Sequence, residues 1–220
     1  MTKVIIPMNR LDRVKGRLDP FLTPLERREL MLATLATVVV AVSEAGLHPE
    51  VLTAVPSEFR DADIEADFIA EDALGGGLNG QLTRAITGSA DVLILHADLP
   101  LATASAIERV LLDAIGKPGI TIVRSGDGGT NAMRLRPAGG FPLSYGTDSY
   151  AMHVAAAMEA GYDARQVEAP ELALDLDTED DLRTFVAATG WQATAAGEVL
   201  QRAGVPERLR RATEAARRRR

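Results

Sequence analysis

The chain of 220 residues is 46% hydrophobic and carries a net charge of −7, which predicts one globular domain with a full core. It contains no cysteine, which excludes disulfides, thiolate metal sites and cysteine nucleophiles. Nucleic-acid binding favours a basic face, whereas this chain is acidic overall. A membrane span needs about 20 consecutive apolar residues, and the chain has no run of that length. We therefore expect a cytoplasmic protein with no nucleic-acid or membrane partner.

Strands and helices are predicted to alternate from the start of the chain. The apolar run 4–7 predicts a buried first strand and is too short for a signal peptide, and the polar residues 8–22 predict a loop. Thr23, Pro24 and Glu26 then form a helix-start signal, because they supply a cap, a first-turn proline and a capping-box partner. Helices are predicted at about 24–45 and from the glycine loop 75–77 through residue 86, and strands at 51–55, 68–70 and 92–95.

The second half of the chain continues this alternation. Helices are predicted at 103–115, 149–160 and 178–188, and strands at 120–123, 132–135 and 166–168. The spacing predicts an α/β fold with a mostly parallel sheet covered on both faces, in which ligands bind beyond the carboxyl ends of the strands. Residues 1–190 are predicted to form one domain. Residues 191–220 are predicted to form a helical, basic C-terminal extension whose arginines suit a helix end.

Basic residues crowd the loop after the first predicted strand. Lys15 and Arg17 lie there, with Arg10 and Arg13 nearby. A solvated surface is the ordinary explanation of such a run, but these residues follow the carboxyl end of a strand. Lysine and arginine neutralise the charge of a triphosphate well, so the position favours phosphate binding.

Three aspartates are candidate metal ligands. Asp98 follows the apolar run 92–95 and precedes the next predicted helix by too many residues to cap it. Asp175 and Asp177 alternate along the chain and would lie on one side of an extended segment, although Asp177 or Thr178 alternatively caps the following helix. Carboxylate oxygens suit magnesium, which also bridges to substrate phosphates.

Glycine-rich turns offer backbone N–H groups to anions. The run from Gly75 to Gly80 matches G-x-G-x-x-G, which leaves a NAD-binding oxidoreductase as an alternative, although that turn normally follows the first strand. The runs 128–131 and 146–149 predict either anion-binding loops or ordinary turns. The three histidines show no metal-ligand spacing, and no role is assigned to them.

Taken in order, these motifs closely resemble those of the 2-phospho-L-lactate guanylyltransferases, whose bacterial relatives use phosphoenolpyruvate. The motifs that carry the resemblance are Pro7 with Lys15-Gly16-Arg17-Leu18, Gly77-Leu78-Asn79, Ala97-Asp98-Leu99-Pro100, Gly128-Gly129-Thr130-Asn131, Tyr145-Gly146 with Ser149 and His153, and Asp175-Leu176-Asp177-Thr178. Met8-Asn9 stand where many relatives carry a lysine. The segment after Trp191 lies outside these motifs.

The resemblance implies a three-layer, nucleotidyltransferase-like domain of the glycosyltransferase-A type, and it implies a role for each motif. The implied magnesium ligands are Asp98, Asp175 and Asp177, and the implied catalytic residues are Lys15, Arg17 and Asp98. The implied nucleotide site consists of Lys15, Gly77, Leu78 and Asn79. The implied site for the acceptor's carboxylate consists of Thr130, Gly146 and Ser149.

The implied activity joins GMP from GTP to the phosphate of 2-phospho-L-lactate or phosphoenolpyruvate and releases pyrophosphate, in deazaflavin coenzyme biosynthesis. A homodimer is expected by the same analogy. The alternatives are a sugar-nucleotide transferase on the same fold, a NAD-binding oxidoreductase and a non-catalytic binding protein. The sequence does not select the acceptor, because the candidate phospho-acids differ only by small groups.

Overall fold

The computed structural model describes residues 1–11, 15–112 and 118–218 of the chain. Its strands within those ranges are β1 (Lys3–Met8), β2 (Pro49–Thr53), β3 (Asp67–Ala70), β4 (Val92–Leu95), β5 (Gly119–Arg124), β6 (Thr130–Arg136) and β7 (Asp163–Gln166). They form one sheet in the order β3-β2-β1-β4-β6-β5-β7. The strands predicted from apolar runs are confirmed, with ends that shift by a few residues.

The direction of β6 determines which chain segments meet at each edge of the sheet. β1 is parallel to β2 and β4, β2 to β3, and β5 to β7. β6 lies between β4 and β5 and is antiparallel to both. The sheet is therefore mostly parallel, as predicted. Because β4 and β5 then point the same way, their carboxyl ends lie at one edge together with the start of β6.

Within the described chain, helices lie between most of the strands, and the last four α-helices follow β7. The α-helices are α1 (Pro24–Glu44), α2 (Gly77–Ile86), α3 (Ala104–Leu112), α4 (Ser149–Glu159), α5 (Pro170–Ala173), α6 (Glu179–Ala187), α7 (Ala195–Arg202) and α8 (Val205–Arg218), and 3₁₀ helices span Gly16–Leu18, Pro56–Phe59 and Trp191–Ala193. The capping box at the start of α1 is confirmed: the Glu26 N–H donates to Thr23 Oγ1, and Glu26 Oε2 accepts from the Thr23 N–H. Within the described residues, no helix is long and apolar enough to cross a membrane.

The sheet is covered on both faces, which gives the three layers that were expected. Helices α1 and α3 pack on one face, and α2 and α4 on the other. In β1, Val4 and Ile6 face the first layer and Ile5 the second, because successive side chains of a strand point to opposite faces. All four residues of β4 are buried, as expected for a central strand.

A third apolar cluster lies at the edge of the sheet and is called the edge cluster here. Its members come from the loop after β1, from α1, from the segment between α5 and α6, and from the C-terminal helices: Leu18, Phe21, Leu22, Leu30, Leu176, Leu182, Phe185, Trp191, Ala196, Val199, Leu200, Val205 and Leu209. Arg208 of α8 donates to the Phe21 carbonyl at 2.5 Å and pairs with Glu26 at 3.0 Å. The C-terminal helices therefore support the loop that carries Lys15. The domain boundary at residue 190 stays a prediction.

Several details differ from the sequence prediction or lie beyond the description. The strand predicted at 166–168 is β7 (Asp163–Gln166), which shares only Gln166 with that range because its pairing with β5 begins at Asp163. Thr130 and Asn131 were predicted in a loop but begin β6, because residues 125–129 suffice for the turn: the Ser125 N–H donates to the Gly129 carbonyl at 3.1 Å. The predicted loop 8–22 contains the end of β1 and a 3₁₀ turn. The end of the helix predicted at 103–115 and the position of Arg13 lie outside the described residues.

Candidate active site

An ion-pair cluster forms at the carboxyl end of β4. The Lys15 ammonium donates to Asp98 Oδ2 at 2.6 Å and to Asp177 Oδ1 at 2.7 Å. The Lys15 side chain is only 3% exposed. Its backbone is left-handed, with φ at 56°, a conformation that is uncommon for a residue other than glycine. The two ion pairs help to hold the loop in this conformation.

Asp175 and Asp177 reach the end of β4 because the residue between them is anchored in the edge cluster. Leu176 is fully buried, and its N–H donates to the Asp98 carbonyl at 3.3 Å. Thr178 rather than Asp177 caps α6, with Asp181 as its capping-box partner. The carboxylate of Asp177 is therefore free to face Lys15.

Asn131 supports this arrangement from the start of β6. Its side-chain amide donates to Asp175 Oδ1 at 3.2 Å and to the Ala173 carbonyl at 3.1 Å. No role was predicted for this side chain, although it belongs to the Gly-Gly-Thr-Asn motif. Its two hydrogen bonds fix the direction of the Asp175 carboxylate.

The charges of the cluster shift the pKa values of its members. Burial lowers the pKa of Lys15, but the charges of Asp98 and Asp177 outweigh burial and hold it above its usual value. Burial raises the pKa of Asp98, and the adjacent Lys15 outweighs this and lowers it. Burial and the charge of Asp98 raise the pKa of Asp175 to about 6. The cluster carries three carboxylates and one ammonium, so it has an unbalanced negative charge.

The same three carboxylates fit a divalent cation. Asp98, Asp175 and Asp177 each offer one oxygen, and these atoms lie within 4.8 Å of one another. Asp98 Oδ1 is buried without a hydrogen-bond partner among the described residues, and buried polar atoms are rarely left unpaired. Hard oxygen donors of this kind suit magnesium.

A first cleft of about 510 Å³ opens on one side of the cluster. Gly77 and Leu78 line it together with Lys15, Asp98 and His96. Two of the three glycine-turn residues predicted to bind the nucleotide, Gly77 and Leu78, thus share a cleft with the charged cluster. No role was predicted for His96, and its Nε2 is buried with no partner among the described residues.

Asn79, the third residue of that turn, has a different set of contacts. Its amide nitrogen donates to the Tyr145 carbonyl at 3.0 Å, and its amide oxygen accepts from the Tyr145 N–H at 2.7 Å. This two-way pairing joins the turn before α2 to the loop before α4. A role of Asn79 in binding the nucleotide stays a prediction.

A second cleft of about 610 Å³ lies on the other side of the cluster. Asp175 and Asp177 line it together with Arg17, Arg124 and Gln166. Asp177 borders both clefts, so the carboxylates lie between them. The structure thus separates two residues that the sequence placed together: Lys15 lies at the first cleft and Arg17 at the second.

The residues predicted to bind the acceptor's carboxylate lie around the buried side chain of His153. Thr130 and Ser149 are buried and Gly146 is exposed. The Ser144 N–H donates to His153 Nε2 at 3.0 Å, and His153 Nδ1 lies 3.1 Å from Thr130 Oγ1. Burial lowers the pKa of His153 to about 4, so the ring is neutral, and Nδ1 carries the proton because Nε2 accepts. The Nδ1–H of His153 therefore donates to Thr130 Oγ1, and the hydroxyl proton of Thr130 stays available for another acceptor. The roles of these residues stay predictions.

Comparison with known proteins identifies relatives over nearly the whole chain. The model of the family described as guanylyl transferase CofC like matches residues 2–219, which includes the segment after Trp191. The chain is 34% identical over 197 residues to a phosphoenolpyruvate guanylyltransferase of Rubrobacter xylanophilus, covering 86% of this chain and 95% of the relative. It is 38% identical over 168 residues to a 2-phospho-L-lactate guanylyltransferase of Methanoregula boonei, covering 76% and 74%.

Solved structures show the same fold at low sequence identity. A putative nucleotide-diphospho-sugar transferase from Desulfovibrio desulfuricans superimposes with a TM-score of 0.77 at 15% identity, covering 96% of this chain and 98% of that one. A CMP:2-keto-3-deoxy-manno-octonic acid synthetase complexed with CTP matches with a TM-score of 0.54 at 14% identity, covering 84% and 97%. The predicted nucleotidyltransferase-like α/β fold is confirmed.

Proposed function

Since the chain belongs to the guanylyl transferase CofC-like family, we propose that it transfers GMP from GTP to the phosphate of a small phospho-acid and releases pyrophosphate. Phosphoenolpyruvate and 2-phospho-L-lactate are the acceptors that its relatives' names supply. The product would serve deazaflavin coenzyme biosynthesis. The observation that carries the proposal is the cluster of three aspartates and one lysine between two clefts.

Two clefts that meet at Asp177 suit a reaction with two anionic substrates. The nucleotide would occupy the first cleft, where Gly77 and Leu78 lie beside Lys15, and the acceptor would approach from the other side of the carboxylates. Bringing two anions together is the main task of such an enzyme, because positioning and charge neutralisation supply most of its rate enhancement.

The proposed step is an in-line displacement at phosphorus. An oxygen of the acceptor's phosphate forms a bond to the α-phosphorus of GTP, the bond from that phosphorus to the bridging oxygen of the β-phosphate breaks, and pyrophosphate leaves with the electron pair. No protein nucleophile is needed, which agrees with the lack of cysteine. When bound at Asp98, Asp175 and Asp177, magnesium supplies positive charge to the phosphate oxygens.

The chain's own residues contribute position and charge. Lys15 holds a fixed ammonium beside the carboxylates, and the raised pKa keeps it charged at neutral pH. Asn131 orients Asp175, and Leu176 anchors the segment that carries Asp175 and Asp177. These supports would keep the charged groups in place before substrates bind, which lowers the reorganisation that the reaction requires.

Pyrophosphate release from the purified protein tests the proposal. We expect release with magnesium, GTP and either phosphoenolpyruvate or 2-phospho-L-lactate, and none when the acceptor is omitted or replaced by 3-phosphoglycerate. CTP and a sugar nucleotide serve as donor controls. The proposal is overturned if no phospho-acid supports release and GTP does not bind. Binding of NAD would then be tested at the turn from Gly75 to Gly80.

A further inference from the structure

The side chain of Asn79 joins two segments that lie 66 residues apart in the chain. Asn79 belongs to the first turn of α2 and directly follows Gly77 and Leu78, which line the first cleft. Its amide nitrogen donates to the Tyr145 carbonyl at 3.0 Å, and its amide oxygen accepts from the Tyr145 N–H at 2.7 Å. Each polar atom of this amide therefore already has a partner within the fold.

The loop before α4 depends on side chains for its hydrogen bonds. Residues 141–145 belong to no helix or strand, and within the described chain no backbone-to-backbone hydrogen bond involves residues 142–145. The buried Tyr145 pairs with Asn79 through its N–H and its carbonyl, and the Ser144 N–H donates to His153 Nε2 at 3.0 Å. Because buried backbone groups need partners, Asn79 and His153 fix the path of this loop.

The position of Tyr145 determines where two of the predicted acceptor residues lie. Gly146 follows Tyr145 directly, and its φ of 137° lies in a region that favours glycine. The Gly146 carbonyl accepts from the N–H of Ser149 at 3.2 Å, where α4 begins. A shift of the Tyr145 backbone would therefore move both Gly146 and Ser149.

The third predicted acceptor residue is tied to the same loop through His153. The rings of Tyr145 and His153 meet edge to face, with their centres 4.9 Å apart. His153 Nδ1 lies 3.1 Å from Thr130 Oγ1. All three predicted acceptor residues thus belong to one set of contacts, which Asn79 connects to the turn before α2.

We propose that Asn79 is a positioning residue: it holds the loop before α4 in the conformation that the phospho-acid requires, and it does not contact the nucleotide. The assignment rests on the proposed function, because it takes Gly146 and Ser149 to bind the phospho-acid. An amide that reached for the nucleotide would leave the buried N–H and carbonyl of Tyr145 without partners, which costs stability. Replacing Asn79 should therefore impair the use of the acceptor and spare the binding of GTP.

Two separate measurements on Asn79→Ala distinguish positioning from nucleotide contact. The Kd for GTP is measured by equilibrium titration with magnesium and without acceptor, and we expect it to stay within about twofold of wild type. The second quantity is kcat/KM at saturating GTP for phosphoenolpyruvate or 2-phospho-L-lactate, whichever the wild type uses. We expect it to fall about 10- to 100-fold, the loss typical of a small displacement of groups that hold a substrate.

Gln81 provides a matched control on the same helix. Its amide forms the same two-way pairing, but with the segment before α2: its Oε1 accepts from the Asp72 N–H and its Nε2 donates to the Asp72 carbonyl, both at 2.8 Å. Gln81 is also buried. Gln81→Ala should lower the melting temperature about as much as Asn79→Ala does, because each variant leaves a backbone N–H and carbonyl without their side-chain partner. Its kcat/KM for the phospho-acid should stay within about twofold of wild type.

A conservative variant keeps the test usable if Asn79→Ala does not fold. Asn79→Gln retains the amide on a stem that is one methylene longer, so it can keep part of the pairing with Tyr145. We expect its kcat/KM for the phospho-acid to lie between those of wild type and Asn79→Ala, with the Kd for GTP unchanged. Thermal unfolding shows which variants are folded.

The results separate a failure of this assignment from a failure of the proposed function. The assignment is wrong if replacing Asn79 markedly weakens GTP binding, if it leaves kcat/KM for the phospho-acid unchanged, or if Gln81→Ala lowers that constant equally. Each of these results requires an active wild type. A wild-type protein that releases no pyrophosphate with any acceptor overturns the proposed function, and this assignment with it.

Discussion

Strand β4 is flanked by two aspartates that are equally exposed and differently satisfied. The Asp91 and Asp98 side chains are each 18% exposed. Asp91, before the strand, accepts from Arg134 Nε at 3.0 Å and Nη2 at 2.7 Å, one bond to each oxygen, and from Thr2 at 3.1 Å. Asp98, after the strand, shares one lysine with Asp177 and keeps a buried oxygen without a partner among the described residues.

On the proposed function, this difference separates a structural ion pair from a candidate binding site. The fork of Arg134 satisfies Asp91 within the fold, so this pair has little capacity left for a ligand. Around Asp98, three carboxylates share one ammonium, which costs stability and leaves oxygen atoms available. We infer that unsatisfied groups at a strand's carboxyl end indicate the candidate functional edge of this sheet better than charge or burial alone.

The largest expected effect is on turnover when Asp98 is replaced. Asp98→Asn should lower kcat at least about 100-fold, because it removes a charge that acts on the reacting phosphates, while the protein stays folded. The matched variant Asp91→Asn should keep kcat within about twofold and lose about 3 kcal/mol in the free energy of unfolding, because Arg134 loses its partner. Pyrophosphate-release rates and urea unfolding measure both quantities.

The contrast between Asp91 and Asp98 is wrong if Asp98→Asn changes only the stability and Asp91→Asn only the turnover. An active Asp98→Asn enzyme would remove the carboxylate from the mechanism. An inactive but stable Asp91→Asn enzyme would show that the opposite edge of the sheet takes part in the reaction.

A smaller effect is expected from removing the shared cation. Lys15→Met keeps most of the apolar stem but leaves Asp98, Asp175 and Asp177 without their ammonium. We expect kcat to fall about 10- to 100-fold and the affinity for a divalent cation, measured with Mn²⁺ as the probe, to rise because no ammonium competes. A weaker affinity for Mn²⁺ in this variant would contradict the view that Lys15 and the metal use the same carboxylates.

The smallest expected effect is on the pH dependence of stability, to which Asp175 and Asp91, near opposite ends of β4, should contribute with opposite signs. The pKa of Asp175 is raised from 3.8 to about 6, so its protonated form favours folding, and its contribution to stability is lost as pH rises through that window. The pKa of Asp91 is lowered, because Arg134 outweighs the opposing effect of burial. Its contribution is present above the usual carboxyl pKa and is lost as pH falls below it.

Metal-free unfolding curves between pH 4 and pH 7 test the sign for Asp175. Asp91 loses its contribution only below this range, so its variant serves as the control. Asp175→Asn should be more stable than wild type at pH 7, and this gain should disappear towards pH 4. Asp91→Asn should be less stable than wild type across the whole range. A constant difference for Asp175→Asn would show that its carboxyl group does not titrate in this window.

Local patterns in the sequence predicted most of the elements and several site residues. The capping box at Thr23, a cap at Asp177 or Thr178, and the buried run that forms β4 depend on residues a few positions apart, so they can be recognised without the fold. The position of Asp98 just beyond the carboxyl end of β4 could likewise be predicted from neighbouring residues, because the apolar run 92–95 shows where the strand ends. The motif order carried the family resemblance and, with it, the aspartates that the structure brings together.

Contacts between distant segments needed the tertiary structure. A strand buried on both faces has no alternation that reveals its direction, so the antiparallel insertion of β6 was not predicted. That insertion brings Asn131 to Asp175 and places Arg124 at the edge that carries Asp98. The separation of Arg17 from Lys15 into two clefts, and the pairing of Asn79 with Tyr145, likewise depend on how loops pack.

Short-range sterics and hydrogen bonding act within a few residues, so the helix starts, the buried strands and the residue types suited to phosphate chemistry could be read from the chain alone. Contacts between distant segments set which carboxylate is satisfied and which is open. Asp91 lies directly before β4 and Asp98 lies three residues after it, and their difference comes from partners 43 and 83 residues away in the chain.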